Sequence, residues 1–229
     1  MSGVAVLYSG GKDSTFTIDI LKRRGMQISC LITVFSENAD SYMLHTSNIN
    51  LVKLSAKALR IPIVLGQTQG RKEDELEDIE RTVAIAQSRY DFDAIGCGGI
   101  SSVYQKTRIQ RIAENRGLGV ICPLWGIDQK KYLKELLESK YDFILTSVSA
   151  AGLDDSWLGK RIDKNRILEL TRLSDKYGFN PALEGGEGET IVLDCPIFKQ
   201  DRLKILESKT VWNGYNGSFI ITRACLDKK

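Results

Sequence analysis

The sequence predicts an α/β fold: a parallel sheet with helices on both faces over residues 1–122, followed by a smaller α+β domain over residues 123–229. Three observations predict it. Short apolar runs alternate with amphipathic stretches about five times through the first half, as strand–helix–strand units do. The first run, Val4-Ala5-Val6-Leu7-Tyr8, passes straight into a glycine pair and then a helix-forming stretch. Beyond Pro123 the alternation gives way to two helical patterns and a tail of strand-like runs broken by Asn213-Gly214 and Asn216-Gly217, both turn signals.

Taken in order, residues 4–8 read as a buried strand. Residues 13–24 read as a helix: Lys22, Arg23 and Arg24 fill its last turn, where the helix dipole favours cations, and Gly25 follows. Residues 28–35 read as the second strand, 48–59 as a helix, 62–65 as a short strand and 72–88 as a long charged helix. Residues 94–97 and 119–122 read as strands flanking a helix at 101–116. In the second part, 129–137 and 163–177 read as helices, and 143–148, 190–193, 203–211 and 218–222 as strands. No repeat, low-complexity tract or long linker interrupts the chain, so the two parts are expected to pack closely and share a cleft. In parallel sheets ligands bind beyond the carboxyl ends of the strands, which directs attention to the loops there.

Composition narrows the class. The chain has 229 residues, 42% hydrophobic and 27% charged, as soluble globular proteins do. Its 32 basic and 29 acidic residues leave a net charge of +3, too balanced to call for nucleic acid. No apolar stretch is long enough to span a membrane, and no secretory leader is read at the N-terminus, so a cytoplasmic protein is expected. The five cysteines, Cys30, Cys97, Cys122, Cys195 and Cys225, never form a Cys-x-x-Cys pair. Reduced, mostly buried thiols are expected, and with a single histidine there is no zinc set.

The chemistry is concentrated in Ser9-Gly10-Gly11-Lys12-Asp13-Ser14. Two glycines allow a tight turn that brings backbone N–H groups to an anion, and the helix that follows adds the positive end of its dipole. Ser9 and Ser14 offer hydroxyls, and Lys12 a mobile positive charge. Asp13 is an odd neighbour for phosphate unless it caps the helix or helps hold Mg²⁺. This is not a Walker loop, which requires glycine where Val6 stands and Ser or Thr where Asp13 stands. An ordinary tight turn is the plain alternative.

The loop resembles the PP-loop of the ATP pyrophosphatases, which split ATP between its α and β phosphates. That resemblance implies a Rossmann-like, adenine nucleotide α-hydrolase-like sheet. It also implies a pyrophosphate site on Ser9, Gly10, Gly11, Lys12, Asp13 and Ser14, and adenine near Thr33 and Val34. Three further segments narrow it: Ser41-Tyr42-Met43-Leu44-His45-Thr46; Ser101-Ser102-Val103-Tyr104-Gln105-Lys106-Thr107-Arg108, with Pro123-Leu124-Trp125 after it; and Glu184-Gly185-Gly186-Glu187-Gly188-Glu189-Thr190, followed by Asp194-Cys195-Pro196. Together with the loop they are similar to the diphthine–ammonia ligase (diphthamide synthase) family, including its small archaeal members, over almost the whole chain. The resemblance implies ATP-dependent amidation of diphthine on translation elongation factor 2 with ammonium, giving diphthamide, AMP and pyrophosphate. It implies ATP and Mg²⁺ as cofactors, with Asp13 as the candidate metal ligand, and leaves a homodimer open.

Each segment also has its own physical reading. Tyr104, Arg108 and Arg111 share one helix face, suited to a phosphate or carboxylate, or else to solvent. Three carboxylates and three glycines between Glu184 and Thr190 make a poor helix and a poor strand, but suit close approach of backbone to a ligand, with Glu187 and Glu189 as candidate catalytic groups beside Lys12 and Asp13. Two positions depart from the family pattern: Gly188 stands where an aromatic is usual, and Leu183 where glycine is usual. His45, the sole histidine, is either a base for ammonium or a structural residue, and Tyr42 is a further candidate for the cleft. The candidate substrate-binding set is therefore Tyr42, His45, Tyr104, Gln105, Arg108, Glu184, Gly185, Gly186, Glu187, Glu189 and Thr190. Trp125 and Trp157 read as core or interface residues, or as part of a cation-binding wall. Two other functions stay open on the residues alone: a PP-loop ligase or thiolase acting on tRNA, and an adenine-nucleotide sensor without catalysis.

Overall fold

The computed structural model describes residues 3–36, 51–69, 74–99 and 102–229. The first half builds β1 (Gly3–Leu7), α1 (Lys12–Arg23), β2 (Ile28–Ser36), α2 (Val52–Leu59), β3 (Ile63–Thr68), α3 (Asp74–Gln87), β4 (Phe92–Gly96), α4 (Val103–Asn115) and β5 (Gly119–Ile121). The second half builds α5 (Gln129–Glu138), β6 (Asp142–Val148), α6 (Lys164–Tyr177), β7 (Gly188–Asp194), β8 (Asp201–Trp212) and β9 (Gly217–Lys228).

Strands β1 to β5 pair in parallel in the order β3-β2-β1-β4-β5. The chain runs outward from β1 through β2 to β3, then returns to the other side of β1 for β4 and β5. Neighbouring connections therefore diverge between β1 and β4, which opens a crevice at their carboxyl ends. Strands β6 to β9 form an antiparallel sheet in the order β7-β6-β9-β8. The predicted Rossmann-like sheet and smaller α+β unit are both present.

Side-chain alternation along β1 explains why its sequence is apolar throughout. Val4 and Val6 face one core, with Phe16 and Leu21 of α1 and Leu59 of α2; Ala5 faces the other, with Val83 of α3, Ile95, and Ile112 of α4. A parallel strand covered on both faces has no polar side to show. The first core runs on without a break into the second sheet through Phe143, Leu145, Val192 and Phe198. Helix α1 is thus packed between the two sheets. Its Phe16 is fully buried, with the rings of Tyr132 and Tyr141 at centroid distances of 5.7 and 5.2 Å.

The hairpin of β8 and β9 is longer than the sequence indicates, because its outer positions are charged. Arg223 pairs with Glu207 at 2.9 Å and Lys228 with Asp201 at 3.1 Å across the two strands. Among the described residues no helix is long and apolar enough to cross a membrane.

Because Phe16 joins the two halves, Phe16→Ala should lower stability by about 3–5 kcal/mol. A urea titration followed by circular dichroism checks this, with one cooperative transition expected at a lower midpoint.

Candidate active site

The crevice lies where the topology puts it. It is lined by the loop after β1 (Tyr8, Ser9, Gly11, Lys12, Asp13 and Ser14), by Ile32, Thr33 and Val34 of β2, and by Cys97 and Gly98 after β4. The second half closes it with Leu183, Glu184, Gly188, Glu189 and Thr190.

The loop is shaped by its own hydroxyls. Gly10 has φ +81°, a conformation that only glycine adopts without strain. The Ser9 backbone N–H donates to Ser14 Oγ at 3.3 Å, and the Gly11 N–H donates to Ser9 Oγ at 3.3 Å. Gly11 caps α1 without a side-chain bond, and its carbonyl accepts from Thr15 Oγ1 at 2.8 Å. Thr33 lines the crevice through its backbone neighbourhood, while its hydroxyl donates to the Tyr8 carbonyl at 2.5 Å and ties β2 to β1.

Strand β7 clasps the loop from the other side. The Val192 N–H donates to the Gly10 carbonyl at 3.0 Å, and the Lys12 N–H donates to Thr190 Oγ1 at 3.1 Å. Thr190, expected to hold substrate, lines the crevice and also anchors the loop. The Lys12 ammonium is buried and donates to Asp13 Oδ2 at 2.8 Å and to the Ala182 carbonyl at 2.6 Å. Asp13 Oδ1 accepts from the Tyr132 hydroxyl at 2.7 Å.

At Asp13, the candidate Mg²⁺ ligand, the carboxylate is already held by two protein donors. Both of its carboxylate oxygens serve protein donors, and among the described residues no group of three metal-ligating side chains exists. Mg²⁺ is commonly held by one or two carboxylates together with substrate phosphates, so Asp13 would supply one ligand of such a set and the nucleotide the rest.

The glycine-rich segment divides. Glu184 and Glu189 line the crevice, but Glu187 does not: its carboxylate turns back on its own loop, accepting from the Asn180 N–H at 2.9 Å and the Gly185 N–H at 2.6 Å. Gly185 and Gly186 complete that turn, Gly186 with φ +90°, and neither reaches the crevice lining. On α4, Gln105 lines the crevice, together with Lys106, which the sequence did not single out. Tyr104 and Arg108 stack on each other, the guanidinium 3.6 Å from the ring centroid, outside the lining. Trp125 lines the crevice with the Lys106 ammonium 4.0 Å from its ring centroid, whereas Trp157 is buried in the core. Tyr42 and His45 lie outside the described residues.

One expectation is overturned. Cys97 and Cys122, expected as reduced thiols, form a disulfide in the crevice wall, with Cα atoms 5.1 Å apart. They end adjacent strands: the Cys97 N–H donates to the Ile121 carbonyl at 3.0 Å. Their separation of 25 residues hides this pairing from any spacing rule.

The comparisons agree with the geometry. Residues 2–120 match the model described as the diphthamide synthase N-terminal domain, and residues 128–226 the diphthamide synthase C-terminal domain. The chain belongs to the diphthamide synthase family. A human relative named diphthine–ammonia ligase is 33% identical over 216 residues, which cover 86% of this chain and 80% of that one. The zebrafish (Danio rerio) relative of the same name is 34% identical over 215 residues, covering 86% and 84%. The relative from Schizosaccharomyces pombe, also of that name, is 32% identical over 241 residues, covering 97% of this chain and 39% of its own length. A solved structure titled as a predicted subunit of tRNA methyltransferase from Methanocaldococcus jannaschii is similar with a TM-score of 0.45 at 20% identity, covering 86% of this chain and 98% of that one.

Within this diphthamide synthase fold, Leu183 and Gly188, expected to depart from the family pattern, lie close together. Leu183 adopts φ +62°, the left-handed region that suits glycine, and a side chain other than glycine there costs about 1 kcal/mol. A Cβ on Gly188 would stand 2.7 Å from the Ser147 carbonyl oxygen and 3.4 Å from Leu183 Cδ1. Apolar bulk at 183 covers the place beside 188, and both residues line the crevice.

Denatured without reductant, the chain should show three reactive thiols, Cys30, Cys195 and Cys225, and two more after reduction. Thiol titration with a chromogenic disulfide checks this. In the native state Cys30 and Cys195 should stay silent, because burial pushes both thiols up to about 12.

Proposed function

We propose that this chain amidates diphthine on translation elongation factor 2, using ATP and ammonium and releasing AMP and pyrophosphate. The observation that carries the reading is a buried lysine at a phosphate-type loop in the crevice of a parallel sheet, in a chain whose relatives are named diphthine–ammonia ligases. In this reading residues 1–122 bind ATP and residues 123–229 receive the modified histidine.

ATP binds with its β and γ phosphates against Ser9, Gly11, Lys12 and Ser14, and its adenine near Thr33 and Val34. The diphthine carboxylate attacks the α-phosphorus, the bond to the bridging oxygen breaks, and pyrophosphate leaves. Lys12 and the N-terminus of α1 stabilise the charge that develops on it. The acyl adenylate is a mixed anhydride, and ammonia displaces AMP from it to give the amide and one proton. Holding carboxylate and phosphorus in line accounts for much of the rate. Glu184 and Glu189 give the crevice an acidic side suited to the trimethylammonium group of diphthine and to ammonium, while the Trp125 ring is met by the Lys106 ammonium. A substrate carried on translation elongation factor 2 supports the cytoplasmic location expected from the sequence.

One observation favours a second reading. The Cys97–Cys122 pair in the crevice is a feature that sulfur transfer to tRNA would use. The names of the relatives weigh for amidation.

Lys12→Ala should cut AMP formation by about 10²–10³-fold, the cost of losing one charge-stabilising donor. The check is chromatography of labelled ATP incubated with ammonium and diphthine-bearing factor. Wild-type rates in that variant would overturn the role of Lys12. AMP formed with tRNA and not with the factor would replace the first reading by the second.

A further inference from the structure

Tyr132 stands outside every motif in the sequence, yet it touches the centre of the phosphate loop. It lies on α5, its side chain is fully buried, and its hydroxyl donates to Asp13 Oδ1 at 2.7 Å from a position 119 residues away. The other Asp13 oxygen accepts from the Lys12 ammonium at 2.8 Å, and that ammonium donates again to the Ala182 carbonyl at 2.6 Å. A chain of hydrogen bonds therefore runs from α5 through Asp13 and Lys12 to the segment before the glycine-rich loop.

We propose that Tyr132 is a positioning residue, which, by holding Asp13, aims the Lys12 ammonium at the β and γ phosphates of ATP. The inference rests on the proposed reading that Lys12 serves those phosphates. Its basis is the shape of an ammonium group, which has three N–H donors in a tetrahedral array. Asp13 and Ala182 take two of them, so the direction of the remaining one is set, and Lys12 lines the crevice. That direction is only as fixed as the carboxylate that helps to set it. A carboxylate turns readily about its terminal torsion. The Tyr132 hydroxyl ties down one oxygen and thereby the other. Burial and the adjacent Asp13 raise the Tyr132 phenol well above its usual range, so it remains a donor.

The molecule contains a matched comparison. Tyr141 is also buried, packs against the same Phe16 ring, and donates to Asp19 Oδ2 at 3.2 Å on the same helix, away from the crevice. Tyr132→Phe and Tyr141→Phe each remove one buried hydroxyl from one carboxylate on α1. A purely structural role predicts like effects; a positioning role separates them.

The experiment is calorimetric titration of the full chain with ATP and with AMP, for wild type, Tyr132→Phe, Tyr141→Phe, Asp13→Asn and the Tyr132→Phe/Asp13→Asn double variant. AMP lacks the phosphates that Lys12 would meet. Tyr132→Phe is expected to weaken ATP about tenfold, the range for a hydrogen bond to a charged group, and to leave AMP unchanged. Tyr141→Phe should bind both as wild type does, and the double variant should bind ATP no more weakly than Asp13→Asn alone. The inference is overturned if Tyr132→Phe binds ATP as wild type does, if it weakens ATP and AMP alike, or if its loss adds in full to that of Asp13→Asn. Amidation by the wild type is scored separately. A wild type that turns over no diphthine overturns the ligase reading, while the ATP-to-AMP affinity ratio still decides the role of Tyr132.

Discussion

Two backbone-directed hydrogen bonds join the halves of this protein at its most important point: Val192 N–H to the Gly10 carbonyl, and Lys12 N–H to Thr190 Oγ1. They attach the first sheet's phosphate loop to β7 of the second sheet. Everything catalytic in the account depends on that attachment. A glycine pair gives a loop freedom to adopt a rare conformation, and the same freedom must be removed before the loop can hold an anion in one geometry. Here removal comes partly from Ser9 and Ser14 within the loop and partly from a strand that begins at residue 188. Phe16, between Tyr132 and Tyr141, is the apolar counterpart of the same junction.

The regular elements were legible because their causes are local. A strand covered on both faces is apolar without interruption, so residues 28–35 announced β2 to within one residue. A helix ends where its last turn is basic and glycine or a turn residue follows, so residues 13–24 announced α1. The tail was read too short for an equally physical reason: the outer positions of β9 carry Arg223, Asp227 and Lys228, whose partners Glu207, Arg202 and Asp201 lie on the other strand and are invisible along one segment.

The candidate site was most legible where its residues are contiguous. Ser9 and Gly11 to Ser14 line one crevice, as the string suggests. Several other features depend on tertiary partners that no single segment shows. Glu187 looks like a ligand carboxylate among glycines, but the tight turn those glycines permit leaves backbone N–H groups that its own side chain satisfies. Asp13 shows in the sequence as a candidate metal ligand, but not as the partner of Tyr132, which stands 119 residues away. Cys97 and Cys122 become neighbours only through the pairing of β4 with β5. Leu183 and Gly188 are five residues apart in the sequence, and the contact between the Leu183 side chain and the place beside Gly188 is visible only in space.

In the proposed reaction a carboxylate is joined to the α-phosphorus of ATP in the crevice. The most direct test carries oxygen-18 in the diphthine carboxylate and asks, by mass spectrometry, where the label goes. Attack by the carboxylate leaves one of its oxygens on the phosphate when ammonia displaces AMP, so the account predicts labelled AMP and unlabelled pyrophosphate. Unlabelled AMP, or ADP in place of AMP, would contradict it.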